Sequence, residues 1–146
     1  MQCAMTGTSY CIYTQGEKTA RLCPLKGIFV VYSLSAGAVP GDIASDLAPM
    51  AGDPVVTAGP DKFMGTDLEK ILKEKGIKTV IVTGTAANGA VLYTASGAAL
   101  RGMQVIVPVD GMSAGNLYAE QYVAWNLVNA PRISTVTTLT RSERIK

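Results

Sequence analysis

The sequence predicts an α/β fold: a three-layer, Rossmann-like, doubly wound and mainly parallel sheet of five to six strands with helices on both faces. Strand and helix patterns alternate, and each strand–helix unit spans roughly 25 residues, which is typical of right-handed βαβ units. The clearest predicted strand, Gly27–Leu34, is a continuous apolar, β-branched run, as expected for a strand that is covered on both faces. The chain has 146 residues, 48% of them hydrophobic and 16% charged, which predicts a single domain over residues 1–146.

Five strands are predicted from apolar runs that turn residues bound at either end. The run GIFVVYSL is the clearest, and DPVVTAG begins a shorter one. The run ISTVTTLT is more polar, which suits the edge of a sheet. The five predicted strands are Gly27–Leu34, Asp53–Gly59, Ile77–Gly84, Met103–Gly111 and Ile133–Thr140.

Three helices are predicted between these strands. Thr66 and Glu69 have the spacing of a capping box and begin the first helix, which Gly76 ends. The second, Ala90–Arg101, is apolar almost all round, so it must be buried on several sides. The third lies within SAGNLYAEQYVAWNLVNAP and cannot extend past Pro131.

Composition excludes several classes of function. Histidine does not occur in the sequence, so no Ser-His or Cys-His nucleophile pair and no histidine-ligated metal can form. Cys3, Cys11 and Cys23 lack the spacing of zinc or redox motifs, and whether Cys11 and Cys23 pair stays open. The net charge is +2 and the charged residues are dispersed along the sequence, so no cluster of basic residues indicates binding of nucleic acid. The closing RSERIK is interpreted as a solvated tail.

We therefore expect a small-molecule ligand or substrate, with no cofactor, no metal, no nucleic acid and no membrane partner. No apolar run reaches the ~20 residues that a membrane span needs. No signal peptide is visible in MQCAMTGTSYCIYTQ. The expected location is soluble and cytoplasmic by default, with export of a longer precursor left open.

The turn TGTAANG, Thr83–Gly89, is the main candidate for a functional element. In open parallel sheets, ligands bind beyond the carboxyl ends of the strands. Small residues let a ligand approach the backbone here, and the N–H groups of Gly89, Ala90 and Val91 favour an anion or a developing oxyanion. The alternative is that these small residues only allow the strand and the helix to pack tightly.

The chain from Phe29 to Leu127 resembles the isochorismatase-like, or cysteine hydrolase, superfamily. The resemblance rests on F-x-G-T-x-L at Phe63–Leu68, the strand GIKTVIVTG, the small-residue turn and the pattern A-x-x-x-G-x-x-V that follows it. It implies a six-stranded parallel sheet with helices on both faces. It also implies hydrolysis of a small amide, lactam or enol ether.

The resemblance further implies three catalytic positions, and the sequence departs at each. Members typically use an aspartate that ends the first strand, a lysine before the Phe-x-Gly-Thr motif and a nucleophilic cysteine that opens the helix after the V-T-G strand. The cysteine position aligns with Ala90, the lysine position falls on Thr57 or Ala58, and no L-L-V-x-D-x-Q strand is found. Members that cleave a vinyl ether lack the cysteine, so Ala90 alone does not exclude hydrolysis.

Two functions therefore stay open. One is a hydrolase that is weak or inactive in the usual triad chemistry, since the proton-transfer group is lost together with the nucleophile. The other is a non-catalytic protein that binds a small molecule or serves as an oligomeric scaffold.

Residues 1–26 are atypical for the family. The family's first strand lies in the middle of the sheet, and both of its neighbours would lose hydrogen bonds if it were omitted. The β-prone segment Thr8–Thr14 could replace it, with Gly16–Leu22 as a short crossover helix. The alternative is a truncated segment that packs irregularly.

No catalytic residue is assigned, but several residues are candidates for ligand binding. Lys62 is interpreted as either a surrogate cation or a solvated surface lysine, and Asn88 as either a ligand-orienting amide or a helix N-cap. We expect Tyr93 to pack in the core and Asp110 to form a turn. The candidate ligand-binding residues are Thr85, Ala86, Ala87, Asn88, Gly89, Ala90, Lys62 and Phe63.

Two further expectations concern the backbone and the surface. The family often has a cis non-proline bond in this turn, so we expect an unusual backbone state near Thr85–Ala86. Tyr118, Tyr122 and Trp125 share one helix, with more aromatic surface than a monomer of this length readily hides. We therefore expect a homo-oligomer, with Trp125 as a core or interface anchor.

Overall fold

The computed structural model describes residues 9–14, 28–43, 45 and 48–145, with residues 9–14 described by their backbone. The strands are β1 Ser9–Thr14, β2 Phe29–Ser35, β3 Val55–Ala58, β4 Thr79–Thr85, β5 Gln104–Pro108, β6 Met112–Ser113 and β7 Thr137–Thr140. The α-helices are α1 Leu68–Glu74, α2 Leu92–Leu100 and α3 Leu117–Asn129. A π-helical turn, Ala87–Val91, leads into α2.

The strands form one sheet in the order β3-β2-β1-β4-β5-β7, and the two-residue strand β6 pairs with β4. Every pairing is parallel. From the central strand β1 the chain builds outward through β2 and β3, and then on the other side through β4, β5 and β7. The predicted doubly wound α/β fold is confirmed, with β7 at the predicted edge.

The N-terminal replacement strand is also confirmed. Ile12 of β1 pairs with Val31 of β2 on one side and with Val82 of β4 on the other. This pairing supplies the ladder hydrogen bonds that β2 and β4 would otherwise lack. The crossover helix predicted at Gly16–Leu22 and the residues Cys3 and Cys23 lie outside the described part of the chain.

Neighbouring residues of β4 belong to two different cores. Val80 and Val82 are fully buried in the first core, while Ile81 is fully buried in the second. Successive side chains of a strand point to opposite faces, so this sheet is covered on both. The three described helices all contribute to the first core, whereas Ile43 and Ile145 contribute to the second.

The C-terminal segment is not a solvated tail, as the sequence had indicated. A short 3-10 turn spans Ser142–Arg144, and the following Ile145 is only 2% exposed. Burial of one aliphatic side chain stabilises a fold by about 1.5–3 kcal/mol, enough to hold a short segment in place. The basic residues Arg141 and Arg144 stay exposed beside it.

The predicted capping box does not form. Asp67 is the N-cap residue of α1, although the Thr66 hydroxyl still accepts a hydrogen bond from the Leu68 N–H at 3.2 Å. Glu69 instead accepts hydrogen bonds from Lys73 at 2.6 Å and from Arg101 at 2.9 Å. Two cationic partners are stronger donors than one backbone N–H. The Glu69 carboxylate therefore binds them and does not accept the N-cap N–H that a capping box requires.

Candidate functional site at the carboxyl edge of the sheet

The turn after β4 begins with a cis peptide bond between Thr85 and Ala86. This matches the unusual backbone state predicted for these two residues. The chain then enters the π-helical turn at Ala87, with Ala86 as its N-cap residue. The helical segment therefore begins three residues before Ala90, where the sequence had predicted its start.

This earlier start changes which N–H groups are available. The N–H groups of Gly89 and Val91 both donate to the carbonyl oxygen of Ala86, at 3.0 and 3.3 Å. Two of the three N–H groups predicted to be free are therefore occupied within the turn. The Ala90 N–H, the third of the predicted trio, makes no such bond to the Ala86 carbonyl oxygen.

The side chains of the turn differ in exposure. Ala87 is fully buried in the first core, whereas Thr85 and Asn88 are exposed and Ala90 is half-buried. Because Ala86 occupies the N-cap position, the N-cap interpretation of Asn88 is wrong. The half-buried methyl group of Ala90 stands at the position where the family resemblance implies a nucleophile.

A hydroxyl pair that the sequence did not predict lies beside this turn. β6 runs parallel to the end of β4, and Ser113 pairs with Thr85. Their hydroxyl oxygens are hydrogen-bonded to each other, and both residues are exposed. β6 has two residues, which is too short for a periodic pattern to reveal.

Lys62 is buried, so the interpretation as a solvated surface lysine is wrong. The residue is 2% exposed. Its ammonium nitrogen donates to the carbonyl oxygen of Leu34 in β2 at 2.8 Å and to that of Ala58 in β3 at 3.1 Å. Burial lowers the pKa of the Lys62 ammonium below its ordinary value because water no longer stabilises the charged form.

The loop that carries Lys62 is fixed to α2. The Lys62 N–H donates to the Thr94 hydroxyl at 3.2 Å, and that hydroxyl donates to the carbonyl oxygen of Pro60 at 3.3 Å. Phe63 is 4% exposed, and the guanidinium of Arg101 stacks over its ring at 4.5 Å. Phe63 is therefore a core residue, and its N–H donates to the carboxylate of Asp61 at 3.0 Å.

The strand ends show what occupies the family's other catalytic positions. β1 has the sequence SYCIYT, so it ends at Thr14 and contains no acidic residue. Ala58, one of the two residues at the expected lysine position, ends β3 with a methyl side chain. The ammonium of Lys62 nevertheless donates a hydrogen bond to the carbonyl oxygen of that same residue.

Three other residues singled out in the sequence have varied environments. Tyr93 is 54% exposed, so its predicted core packing is wrong. Trp125 is 61% exposed, which excludes the core-anchor interpretation and leaves the interface interpretation as a prediction. Asp110 lies in the 3-10 turn Val109–Gly111, as expected for a turn former.

Asp110 also binds the C-terminal segment. Its carboxylate accepts hydrogen bonds from the Ser142 N–H at 2.8 Å and from the Ser142 hydroxyl at 2.6 Å. Partial burial acts to raise the pKa of Asp110, but these hydrogen bonds outweigh it and hold the pKa below its ordinary value. Asp110 therefore has a structural role, because it links the 3-10 turn after β5 to the C-terminal segment.

Two negative findings apply to the described part of the chain. It contains no group of three or more Cys, Asp and Glu side chains arranged to hold a metal ion. None of its helices is long and apolar enough to cross a membrane.

Comparison with known families places this edge of the sheet in context. The isochorismatase domain matches residues 8–141. The chain belongs to the isochorismatase family. A solved isochorismatase-like hydrolase from Alkaliphilus metalliredigens has the same fold, with a TM-score of 0.80 at 21% identity over 94% of each chain.

Two curated relatives extend this isochorismatase-family assignment. The secreted isochorismatase effector Isc1 of Verticillium dahliae is 38% identical over 72 residues, which are 49% of this chain and 38% of that protein. The N-carbamoylsarcosine amidase of an Arthrobacter species is 34% identical over 94 residues, which are 59% of this chain and 36% of that protein. The matched regions thus span little more than a third of either relative.

Proposed function

We propose that this isochorismatase-family protein binds a small carbonyl compound at the carboxyl edge of the sheet and does not use covalent cysteine chemistry. One observation carries the proposal: Ala90 presents a half-buried methyl group where the family resemblance implies the nucleophile. Alanine has no atom that can attack a carbonyl, and the sequence contains no histidine to activate a hydroxyl or water.

The backbone of the turn supports ligand binding without catalysis. The residues Thr85 to Ala90 carry small side chains apart from Asn88, so a ligand can approach the main chain closely. The N–H of Ala90 is a donor for a ligand carbonyl oxygen or carboxylate in this proposal. The exposed hydroxyls of Thr85 and Ser113 supply further polar contacts at the same edge.

A second candidate function is hydrolysis of a small amide, lactam or enol ether. The Arthrobacter relative named N-carbamoylsarcosine amidase favours an amide, and the relative named isochorismatase effector favours an enol ether. In such a reaction water would replace the cysteine as nucleophile. General-base catalysis contributes about 10²–10⁴-fold to such a step, and β1, where the family resemblance implies the aspartate base, contains no acidic residue.

The experiment compares binding with turnover for the same compounds. Backbone chemical-shift changes in ¹⁵N-labelled protein map the binding of small amides and their acids, and ammonia release measures hydrolysis. We expect saturable shift changes at Gly84–Ala90 and Ser113, with no ammonia above the rate without protein. Binding elsewhere on the surface would contradict the proposed site, and multiple turnovers of an amide would establish the second candidate.

A further inference from the structure

The charge of Lys62 has no described partner of opposite sign. Both hydrogen-bond acceptors of its ammonium are neutral backbone carbonyls, those of Leu34 and Ala58. Within the described ranges, the ion pairs involve Lys70, Lys73 and Arg101, and no carboxylate lies within ion-pair distance of Lys62. A buried charge is costly unless it is paired, so a purely structural link between two carbonyls would be made at lower cost by a neutral donor.

The ammonium also has unused hydrogen-bonding capacity. A protonated lysine carries three N–H donors, and the two carbonyls accept two of them. Within the described part of the chain the third has no acceptor, so it can donate to a ligand oxygen. With Lys62 2% exposed, an anion bound there would be shielded from solvent and little screened by salt.

The topology places this ammonium near the turn after β4. All strands are parallel, so the ends of β2, β3 and β4 lie at one edge of the sheet. Only β1 separates β2 from β4, and two strand spacings amount to about 10 Å. A small ligand that lies across the end of β1 would therefore contact Lys62 with one end and the turn at Ala90 with the other.

The end of β1 also permits a negative charge. The family resemblance implies an aspartate there, which would repel an anion, but β1 contains no acidic residue. β1 therefore places no carboxylate of its own beside the buried ammonium of Lys62. The combination favours an anionic ligand over a neutral one.

We propose that the ligand is a small carboxylate, whose carboxylate binds the Lys62 ammonium while its other polar end lies at the turn Thr85–Ala90. This inference rests on the proposed function, because it names the ligand class of the same site. It goes further in naming the charge of the ligand and in assigning its carboxylate to the ammonium of Lys62, at a sequence position different from that of the family's lysine.

Matched pairs of compounds test the inference. Acetate, benzoate and nicotinate each have a neutral primary amide of nearly the same shape, namely acetamide, benzamide and nicotinamide. Titration calorimetry measures each pair on the wild-type protein and on Lys62→Met and Lys62→Gln. Lys78→Met is the control, because Lys78 is exposed next to the start of β4 and its loss changes the net charge equally.

We expect at least one carboxylate to bind wild type and Lys78→Met tenfold or more tightly than its amide, and Lys62→Met to lose this preference. An unchanged preference in Lys62→Met, or amides that bind as well as acids, would overturn the anion assignment while leaving the proposed function standing. Binding of neither member of any pair would overturn both.

A measurement on the wild-type chain covers the case in which the Lys62 variants do not fold. The Nζ resonance of Lys62 is titrated by NMR with and without a saturating carboxylate. A bound anion stabilises the charged ammonium and raises its pKa, whereas a lysine that only links two carbonyls keeps the same titration curve. An unchanged curve in the presence of a bound carboxylate would contradict the proposal.

Discussion

The ammonium nitrogen of Lys62 lies 2.8 Å from the carbonyl oxygen of Leu34, a residue 28 positions earlier in the chain. This contact fixes the loop after β3 to the end of β2. It also removes a charge from water, and the stability of the protein is therefore linked to pH through this residue.

The first prediction follows from the sign of that linkage. Burial lowers the pKa of Lys62 below its ordinary value of 10.5, so the folded protein releases this proton at a lower pH than the unfolded chain does. Between the two pKa values the unfolded state binds more protons, and the free energy of unfolding rises with pH. We expect wild type to gain stability relative to Lys62→Met as the pH rises toward 10.5.

Urea unfolding of both proteins at pH 7, 8, 9 and 10 measures this difference. Lys78→Met serves as the control for the change in net charge. If the free energy of unfolding of wild type minus that of Lys62→Met fell with rising pH, the folded protein would favour the charged ammonium.

The second prediction concerns the contact between α2 and the loop of Lys62. A Cβ atom added at Gly97 would lie 3.0 Å from a carboxylate oxygen of Asp61 and 3.2 Å from a ring carbon of Phe63. Gly97→Ala gains about 1 kcal/mol of helix propensity, but overpacking costs about 1–3 kcal/mol. Phe63 is held in the core, so we expect net destabilisation of up to about 2 kcal/mol.

Thermal unfolding measures this effect against Ser96→Ala, which raises helix propensity at the neighbouring position of α2. We expect Ser96→Ala to match or exceed the wild-type midpoint and Gly97→Ala to fall below it. A Gly97→Ala midpoint above that of wild type would show that the loop yields at little cost and that Lys62 is held less firmly than its contacts indicate.

The third prediction concerns Asp110 and Ser142. Asp110 has a lowered pKa, so its contribution to stability is present above its unfolded value of about 3.9 and is lost as the pH falls below it. We expect Asp110→Asn to cost about 1 kcal/mol at neutral pH, the size of one net hydrogen bond. The same change should cost progressively less as the pH is lowered from 4 to 2.

Chemical unfolding of both proteins across pH 2–7 provides the measurement, and Glu143→Gln is a control in the same segment. Release of Ile145 from the second core would accompany the loss and is visible in its methyl resonance. If wild type and Asp110→Asn differed in free energy of unfolding by the same amount down to pH 2, titration of Asp110 would not explain the stability difference.

The sequence predicts the framework of this fold well because that framework depends on local patterns. β2 is rich in apolar residues and β4 in β-branched residues, and the position of β1 follows from the need to pair an edge of each. The C′ glycine Gly76, with φ of 69°, ends α1 in the predicted way. Such features need no knowledge of distant contacts.

The site was harder to predict because its decisive contacts are distant in sequence. Nothing near Lys62 indicates that its ammonium reaches a carbonyl 28 residues earlier, so the sequence alone does not decide between a surrogate cation and a solvated surface lysine. Glu69 lost its capping role to Arg101, which is 32 residues away. Tyr93 was expected in the core because its helix is apolar almost all round, yet it lies on the exposed face of α2.

The fourth prediction concerns the outer face of α3. Leu117, Tyr118, Tyr122, Trp125 and Val128 are all exposed there, Tyr118 by 78% and Trp125 by 61%. These side chains together expose roughly 600 Å², taking about 200 Å² for each aromatic side chain, against about 800 Å² per partner in a stable interface. We expect the protein to self-associate through this face and Trp125→Glu to shift it toward monomer.

Sedimentation equilibrium at micromolar concentrations tests this expectation. Val39→Glu is the matched control, because Val39 is 57% exposed on a loop outside α3. Equal association of wild type and Trp125→Glu would place any interface elsewhere, and a monomeric wild type would exclude self-association in this concentration range.

The last prediction concerns the nucleophile position itself. Ala90→Cys places a thiol at a half-buried site of the turn, where a disulfide reagent can reach it. A free thiol has an ordinary pKa of about 8.5, and neither a histidine nor an acidic residue in β1 is present to activate it. We expect the thiol of this variant to react with a small disulfide reagent but to release no ammonia from small amides above the wild-type rate.

Ala90→Ser, which adds a hydroxyl of similar size, controls for the change in shape. Rapid amide hydrolysis by Ala90→Cys alone would show that another residue already acts as the base, and the turn would then be a catalytic site that lacks only its nucleophile.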